Sequence, residues 1–384
     1  MLTLMGYEWK KIFMQKRVIA VFAVIFILIC IGQVGDLIQP LSPIPDAVQT
    51  MRNNREHARA LTGRELDGDF LYEIFRETEG QNFWLSPYRN IWHIIRFMGE
   101  VESPEEAVAF YTNRDNRFAM LPEDEFLMNR VSEGGARWIM QKNEQLPAPW
   151  VFAYTGGFDI FLNRANTVAI FLFFVIAICI ASLFAAEHQT GVAPIMLAAK
   201  YGKSKLIWAK IFTAAGISLG LSLLFTLSTL AISLLAFGAD GGWAMLQLRI
   251  PFAVYSLTLS QAAWILIINV CLRAFYLGAL VALFSALTRS AFVSLILATV
   301  YMAPATLYLS LPFNEIRWVF NLNRLIIDFI PHPTEHAVST FSFFPYEIFG
   351  LFIPPFIFEP IFSLVVGAGL LCCAGWVFKR AQVG

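Results

Sequence analysis

Charged residues are scarce in this sequence. Only 15% of the 384 residues are Asp, Glu, Lys or Arg, and the 28 basic and 28 acidic residues cancel at pH 7. A neutral chain lacks the basic surface that nucleic-acid binding requires, so we expect no nucleic-acid partner. Hydrophobic residues make up 57% of the chain, above the roughly 45–50% of soluble domains. This balance predicts a polytopic membrane protein.

Cysteine is also rare, and its positions exclude further classes of site. The five cysteines all lie in apolar runs; they are Cys30, Cys179, Cys271, Cys372 and Cys373. A disulfide framework and a thiolate metal site are therefore not expected. In apolar surroundings a cysteine usually acts as a small packing residue. The sequence indicates no cofactor.

Long apolar runs are what the sequence has in abundance. A helix needs about 20 apolar residues to cross the bilayer core. Six runs qualify, at residues 18–38, 167–186, 206–237, 256–287, 291–311 and 356–378. We therefore expect an all-α polytopic membrane protein with six transmembrane helices. The run at 256–287 is too long for a simple span and predicts a kink, a tilt or a preceding interfacial helix.

The polar stretch 39–166 lies between the first two runs and holds most of the acidic residues. Ser103 is suited to cap a helix that begins at Pro104, with Glu106 three residues after the cap. A stripe of apolar residues at helical spacing follows Leu66. A segment of this length is not governed by the charge rule for short loops. The stretch is interpreted as a small extracytoplasmic helical domain.

Lysine and arginine in the short loops predict the orientation, because cytoplasmic loops are enriched in them. One side collects Lys10, Lys11, Lys16, Arg17, Lys200, Lys203, Lys205, Lys210, Arg289, Lys379 and Arg380; the other side has only Arg249, Arg317 and Arg324. Both termini are then cytoplasmic: residues 1–17 form an amphipathic helix and 379–384 a tail. Residues 312–355 form an outer amphipathic or re-entrant segment. The expected location is a bacterial plasma membrane.

Two short motifs resemble catalytic sites. Gly202, Lys203 and Ser204 imitate the end of a phosphate-binding loop, but Leu197 occupies the position of its first glycine. That loop also needs a preceding strand, so ATP would have to be bound by another chain.

The second motif is "HPTEH", in which His332, Glu335 and His336 fit the H-x-x-E-H spacing of some zinc peptidases. The prolines at 331 and 333 disfavour the helix that those ligands share. A solvated turn and a loop metal site both stay open.

Arg273 lies within the run 256–287, where a charge is costly. It is either buried and paired, with Asp328 or Glu359 as the partner, or interfacial with its charge reaching the headgroups.

The loop 187–205 interrupts the apolar pattern with "EHQTGVAPIMLAAKYGKSK". Val192, Ile195, Met196 and Leu197 suit one or two turns of interfacial helix, and glycines at both ends permit sharp turns. The lysines are expected on the cytoplasmic surface, near anionic lipid. Such a short rigid knob suits a protein that is driven mechanically from the cytoplasm.

These residues resemble the signature of ABC exporter permeases of the type-2 class. The match is carried by Glu187, Gly191, the stretch Lys200-Tyr201-Gly202-Lys203, and Lys210. Residues 277–290, the N-terminal "MGYEWKKIFMQKR" and the large external insert of the Gram-positive branch are similar as well. Lys203 stands where arginine is common, and Val192 replaces a frequent threonine.

The resemblance implies a permease half that pairs with a second copy or with a sister permease, above two separate ABC ATP-binding subunits. The coupling loop would use Glu187, Gly191, Met196, Lys200, Gly202 and Lys203, with the N-terminal helix as a second contact. The chain itself would not be an enzyme. Substrates of such permeases include peptides, antibiotics, lipids and glycan precursors. Two alternatives stay open: an ATP-independent sensor or assembly factor that uses the outer domain, and an intramembrane metallopeptidase.

Overall fold

A computed structural model describes residues 2–14, 16–38, 47–79, 86–119, 131–306, 319 and 339–380, and the described chain is mostly helical. In chain order the helices are α1 (Leu2–Phe13), α2 (Lys16–Ile38), α3 (Ala47–Ala60), α4 (Gly68–Thr78), α5 (Trp92–Met98), α6 (Pro104–Ala119), α7 (Glu133–Glu144), α8 (Gly156–Gln189), α9 (Ala193–Ala198), α10 (Lys205–Phe237), α11 (Leu259–Thr288), α12 (Ala291–Thr306) and α13 (Pro355–Arg380).

Four of the described helices are long and apolar enough to cross a membrane: α8 over Thr167–Gln189, α10, α11 and α13. A fifth span arises if α1 and Val18–Gly32 of α2 count as one, across a bend of 71°. The expected six spans are not confirmed. Helix α12 is apolar, but its 16 residues reach only about 24 Å at 1.5 Å per residue, short of a core about 30 Å thick.

Helix α11 is at the centre of the bundle and packs against α8, α10, α12 and α13. A hydroxyl joins it to α8: Ser285 Oγ donates to the carbonyl of Ala181 at 2.7 Å and accepts from the amides of Phe184 and Ala185. Inter-helix hydrogen bonds of this kind stabilise membrane bundles, where lipid gives helices little hydrophobic reason to associate. The α8–α11 pair is therefore the fixed frame of the bundle.

The region before α8 packs on one end of this bundle. Leu66, Phe70 and Ile74 are buried as the apolar stripe predicts, in a core that also includes Ala262 and Leu266 of α11. Helix α6 begins at Pro104; the Glu106 amide donates to Ser103 Oγ, and the Glu106 carboxylate accepts from the amide of Glu102. Because α8 begins at Gly156, the last part of the stretch assigned to 39–166 is continuous with a bundle helix.

A β-hairpin interrupts the all-α pattern. Strands β1 (Tyr346–Ile348) and β2 (Leu351–Ile353) pair antiparallel. Positive φ angles at Phe349 and Gly350 give the tight turn whose twist suits two strands. Aromatic and β-branched side chains favour strands, which is why this part of the segment predicted as outer amphipathic or re-entrant forms a hairpin. The rest of 312–338, except Val319, lies outside the described residues.

Candidate functional site

The loop between α8 and α10 contains the short helix α9. Helix α8 continues to Gln189. Glu187 and His188 therefore lie in its last turn, whereas the sequence analysis had assigned both residues to the loop 187–205. The chain then turns at Gly191, whose φ of +69° is accessible to glycine without strain. Pro194 lies in the first turn of α9, where a proline costs no hydrogen bond.

Gly202 holds α9 close to the start of α10. A Cβ atom at this position would lie 1.8 Å from the carbonyl oxygen of Met196, a distance that no side chain can occupy. The Gly202 amide also donates to the carbonyl of Ala199 at 2.9 Å. Backbone-to-backbone contact therefore fixes the end of α9, and a glycine is required at 202 for close approach.

The outer surface of the loop is apolar at its tip and basic at its side. Ile195 has 73% of its surface exposed, whereas Ala193 and Leu197 face the bundle. Lys200 and Lys203 are exposed and Met196 is half-buried. This surface combines an exposed apolar side chain with positive charge. It is therefore complementary to a partner whose apolar contact area has an acidic rim.

Beneath the loop lies a cluster of four charged side chains, here called the basal charge cluster: the buried Glu8, Glu187 and Lys210, and the half-buried Lys11. Lys210 is fully buried. Its Nζ donates to Glu187 Oε1 at 2.5 Å, to Glu8 Oε2 at 3.2 Å and to the carbonyl of Leu183 at 2.7 Å. Lys11 Nζ donates to the same Glu187 oxygen at 2.8 Å. The cluster thus joins α1, α8 and α10.

The cluster shows the surroundings of one residue of the sequence analysis and adds another residue. Lys210, counted there among the lysines of the cytoplasmic side, points into the bundle, where the rings of Phe184 and Phe378 lie 5.5 and 5.8 Å from its ammonium group. Glu8 was not among the candidate residues. Its spacing of three from Lys11 on an amphipathic helix was the available signal.

The arrangement of the cluster decides what Glu187 can do. Only 2% of Glu187 is exposed, so its carboxylate does not lie on the docking surface. It neutralises Lys210, as a buried charge requires a hydrogen-bonded partner of opposite sign. Glu187 is therefore an internal link between helices that flank the loop.

A second buried ion pair lies deeper in the bundle. Arg273 of α11 and Glu359 of α13 are both fully buried, and the guanidinium donates to the carboxylate. The sequence left open whether Arg273 is buried and paired or interfacial. In the structure it is buried, with Glu359 as its partner; Asp328 lies outside the described residues. The pair fastens α13 to the central helix.

Several hydroxyl groups along α10 donate to their own helix. Ser218, Thr226 and Thr229 each donate to the carbonyl four residues earlier, at 2.7–2.9 Å. Such back-bonding satisfies the hydroxyl donor within the helix. These residues are packing elements of the bundle.

The residues of the zinc-peptidase-like motif, His332, Glu335 and His336, lie outside the described residues. Within the part of the chain that the structure describes, no three His, Cys, Asp or Glu side chains are grouped so that they could hold a metal ion.

Comparison with known proteins finds a family that resembles part of the chain. Residues 141–305 match the model of a family described as ABC-2 family transporter protein; neither the curated proteins nor the solved structures gave a match. The matched region runs from α7 to α12 and contains the loop, Glu187, Lys210 and Arg273. The membrane-span candidates and this match together indicate a multi-pass membrane protein whose central region is similar to ABC-2 transporter proteins.

Proposed function

We propose that this chain is an ABC-2 type permease, the membrane subunit of an ATP-driven transporter whose ATP-binding subunits are separate chains. The observation that carries the proposal is the joining of the exposed knob, α9, to the buried basal charge cluster. A surface loop that only connected two helices would need neither a backbone contact at Gly202 nor a buried lysine beneath it. The backbone contact and the buried lysine favour a loop that transmits force from a partner to the membrane helices.

The transmission route follows from the contacts. A partner that binds Ile195, Lys200 and Lys203 moves α9, and the contact of Gly202 with Met196 moves the start of α10 with it. The pairs that Lys210 forms with Glu187 and Glu8 couple this motion to α8 and α1. Packed elements pass on such movement because they shift between discrete arrangements and do not deform continuously. In this proposal Glu187 transmits the movement between helices inside the bundle, and the exposed residues of the loop contact the partner.

The remaining features of the proposal follow the family resemblance. The permease has six spans, with α2 and α12 as the first and fifth, and both termini in the cytoplasm of a bacterial cell. The helices of 39–166 are extracytoplasmic. Two permease halves, identical or sister chains, form the complete pathway, and the complex exports a peptide, an antibiotic or a lipid-like substrate.

The test is co-purification of an ATP-binding subunit from native membranes with the tagged chain and with Ile195→Asp. We expect an ATPase with the wild-type chain and at least a tenfold loss with Ile195→Asp, since a buried charge without a partner is costly at an interface. Phe349→Asp is the matched control, because Phe349 is a fully exposed apolar residue at the opposite bundle end. Equal ATPase recovery with Ile195→Asp, or activity in cells that lack any partner ATPase, contradicts the proposal and favours the ATP-independent sensor.

A further inference from the structure

Helices α10 and α13 form a seam at the bundle end that carries the loop. A Cβ atom on Gly375 of α13 would lie 2.8 Å from Ile207 and 3.0 Å from Ile211 of α10, so a glycine at 375 lets the two helices approach closely. The contact joins the first turns of α10 to the last turns of α13. The two helices therefore run antiparallel along the seam.

Three large aromatic side chains flank one side of this seam. Trp208 and Phe212 each follow one of the two isoleucines, and Trp376 follows Gly375. One residue turns a side chain by about 100° around a helix, and in antiparallel neighbours this rotation brings the side chains to the same side of the seam. All three aromatic residues are exposed. Indole rings are enriched where a span meets the lipid headgroups, which is the depth expected for this face.

Two cations lie at the same end of the seam. Lys379 and Arg380 are exposed in the last turn of α13. The Cζ atom of Arg380 lies 3.9 Å from the centroid of the Trp376 ring. This stacking orients the guanidinium along the aromatic face and leaves its N–H groups available to donate. In the part of the chain that the structure describes, neither cation forms an ion pair.

The surrounding sequence supplies no carboxylate to the two cations. Residues 188–239 contain no Asp or Glu, and neither do residues 360–384. The charge of the face is therefore positive, and a guanidinium donates well to the oxygens of a phosphate group. Next to the charge the face is apolar, since Phe212 and Cys372 are exposed and extend it along the helices. A ligand that suits this face has an anionic head and an apolar tail.

The turn that carries the cations is fixed on the bundle. Phe378 is buried, and its ring centroid lies 5.2 Å from that of Phe184 in α8. The ammonium group of Lys210 lies 5.8 Å from the same ring. The last turn of α13 thus packs beside the basal charge cluster, and the face is formed before a ligand binds, which lowers the cost of binding.

We propose that this face binds a phospholipid with an anionic headgroup, taken from the leaflet next to the loop. Lys379 and Arg380 contact the phosphate, the two indoles flank the glycerol region, and an acyl chain lies along Phe212. Basic sites between membrane helices suit anionic lipid headgroups in this way. The proposal requires that α10 and α13 span a bilayer, and it does not depend on coupling to ATP.

The test is the quenching of a fluorescent label by spin-labelled lipid. The full chain, with its other cysteines replaced by serine, carries bimane on Cys372 in phosphatidylcholine nanodiscs. A small and equal fraction of phosphatidylglycerol or phosphatidylcholine with a spin label on its acyl chain is then included. We expect the anionic lipid to be enriched about fivefold at the label, the effect of one basic side chain close to an anionic headgroup.

A label elsewhere on the same helix is the matched control. Ile361 is exposed on α13, and it lies 19 residues before Arg380, or about 28 Å along the helix. With bimane on Ile361→Cys in the same background, the two spin-labelled lipids should quench equally. Both chains keep the native cations, so this comparison does not depend on the stability of a charge variant.

Two pairs of substitutions test the source of the preference at Cys372. Lys379→Gln with Arg380→Gln should abolish it. Lys200→Gln with Lys203→Gln removes two exposed cations of the loop and should leave it unchanged.

Three results would overturn the proposal. The first is equal quenching by the two lipids at Cys372. The second is a preference that survives the loss of Lys379 and Arg380, or that the loop substitutions abolish as well. The third is no quenching at Cys372 while Ile361→Cys is quenched, which would mean that a second copy of the chain covers the face.

Discussion

Lys210 shows how a single residue can define the site. Its ammonium group is fully buried, and it is tolerated there because two carboxylates and a backbone carbonyl accept hydrogen bonds from it. Lys11 adds a second positive charge, so the four side chains of the basal charge cluster are neutral together. A neutral, hydrogen-bonded cluster resists separation, since removal of one member leaves an uncompensated buried charge.

The first prediction is that Glu187→Ala destabilises the protein by about 3 kcal/mol, because Lys210 loses its shortest ion pair. Chemical unfolding in detergent micelles measures the effect. Adding Lys210→Met to Glu187→Ala should recover most of the loss, since the uncompensated charge is then gone and Glu8 still pairs with Lys11.

The matched control is Glu133→Ala, which removes an exposed helix ion pair with Arg137. Exposed pairs contribute little, so no measurable change is expected. If Glu187→Ala unfolds like the wild-type chain, the basal charge cluster does not hold the helices together.

The second prediction concerns Tyr88, which is buried in the core of the α3–α7 region and donates to a Glu77 carboxylate at 2.8 Å. Burial, followed by the bond to Glu77 and its charge, raises the pKa of the Tyr88 hydroxyl well above 10. A raised folded-state pKa contributes stability below the unfolded pKa of about 10 that is lost as the pH rises further. The thermal midpoint should fall above about pH 10, and less steeply in Tyr88→Phe than in the wild-type chain.

The assignment to Tyr88 is tested by comparing how steeply the thermal midpoint falls with pH in the variant and in the wild-type chain, because other tyrosines titrate in the same range. Tyr7 is an exposed tyrosine on α1, so Tyr7→Phe is the control and should keep the wild-type slope. A Tyr88→Phe slope equal to that of wild type would contradict the assignment.

At the scale of elements, α9 is positioned by backbone geometry at two glycines. Gly191 supplies a positive φ in open space, and Gly202 supplies a contact that excludes any Cβ. Alanine at the two positions is expected to have different energetic costs. At Gly191 a side chain would be strained modestly by the positive φ, whereas at Gly202 its overlap with the backbone would force the loop to move.

The third prediction follows from that difference. Gly202→Ala should accelerate hydrogen exchange of the α9 amides about tenfold or more, and Gly191→Ala should do so less. Gly220→Ala in α10 meets no atom within 4 Å and should leave α9 unchanged. Exchange measured by mass spectrometry on residues 193–206 tests the order, and equal exchange in all three variants would contradict the contact at Gly202.

The sequence predicted the elements better than their contacts. Hydropathy located the long helices because a span must bury or expose about 20 apolar residues in succession. The glycines and the apolar residues of the loop predicted α9. The contact of Glu187 with Lys210 depends on which helix faces which, and periodicity does not carry that information. For Arg273 the cost of a buried charge pointed to an acidic partner, and the structure selects Glu359 from the two candidates.

The hairpin shows the same limit. Residues 346–353 are apolar, and composition alone did not predict the turn with two positive φ angles that joins the two strands. Composition thus predicted an apolar segment, and local backbone geometry decided its form.

At the scale of the whole molecule, the bundle has two different ends. One end carries the loop with its basal charge cluster, and the other carries the α3–α7 region and the hairpin. Helices α8 and α11, joined through Ser285, connect them. A protein of this form suits the transfer of movement from a cytoplasmic partner through the loop into the membrane helices, which is the central claim of the proposed function.

The orientation of the two ends tests that claim most directly. Lys203→Cys and Phe349→Cys are made in a chain whose five native cysteines are replaced by serine, and each is treated with a membrane-impermeant maleimide. Residue 349 should be labelled in intact cells, and residue 203 only after the membrane is permeabilised. Labelling of residue 203 in intact cells would put the loop on the outer surface, beyond reach of any cytoplasmic ATPase, and would contradict the account.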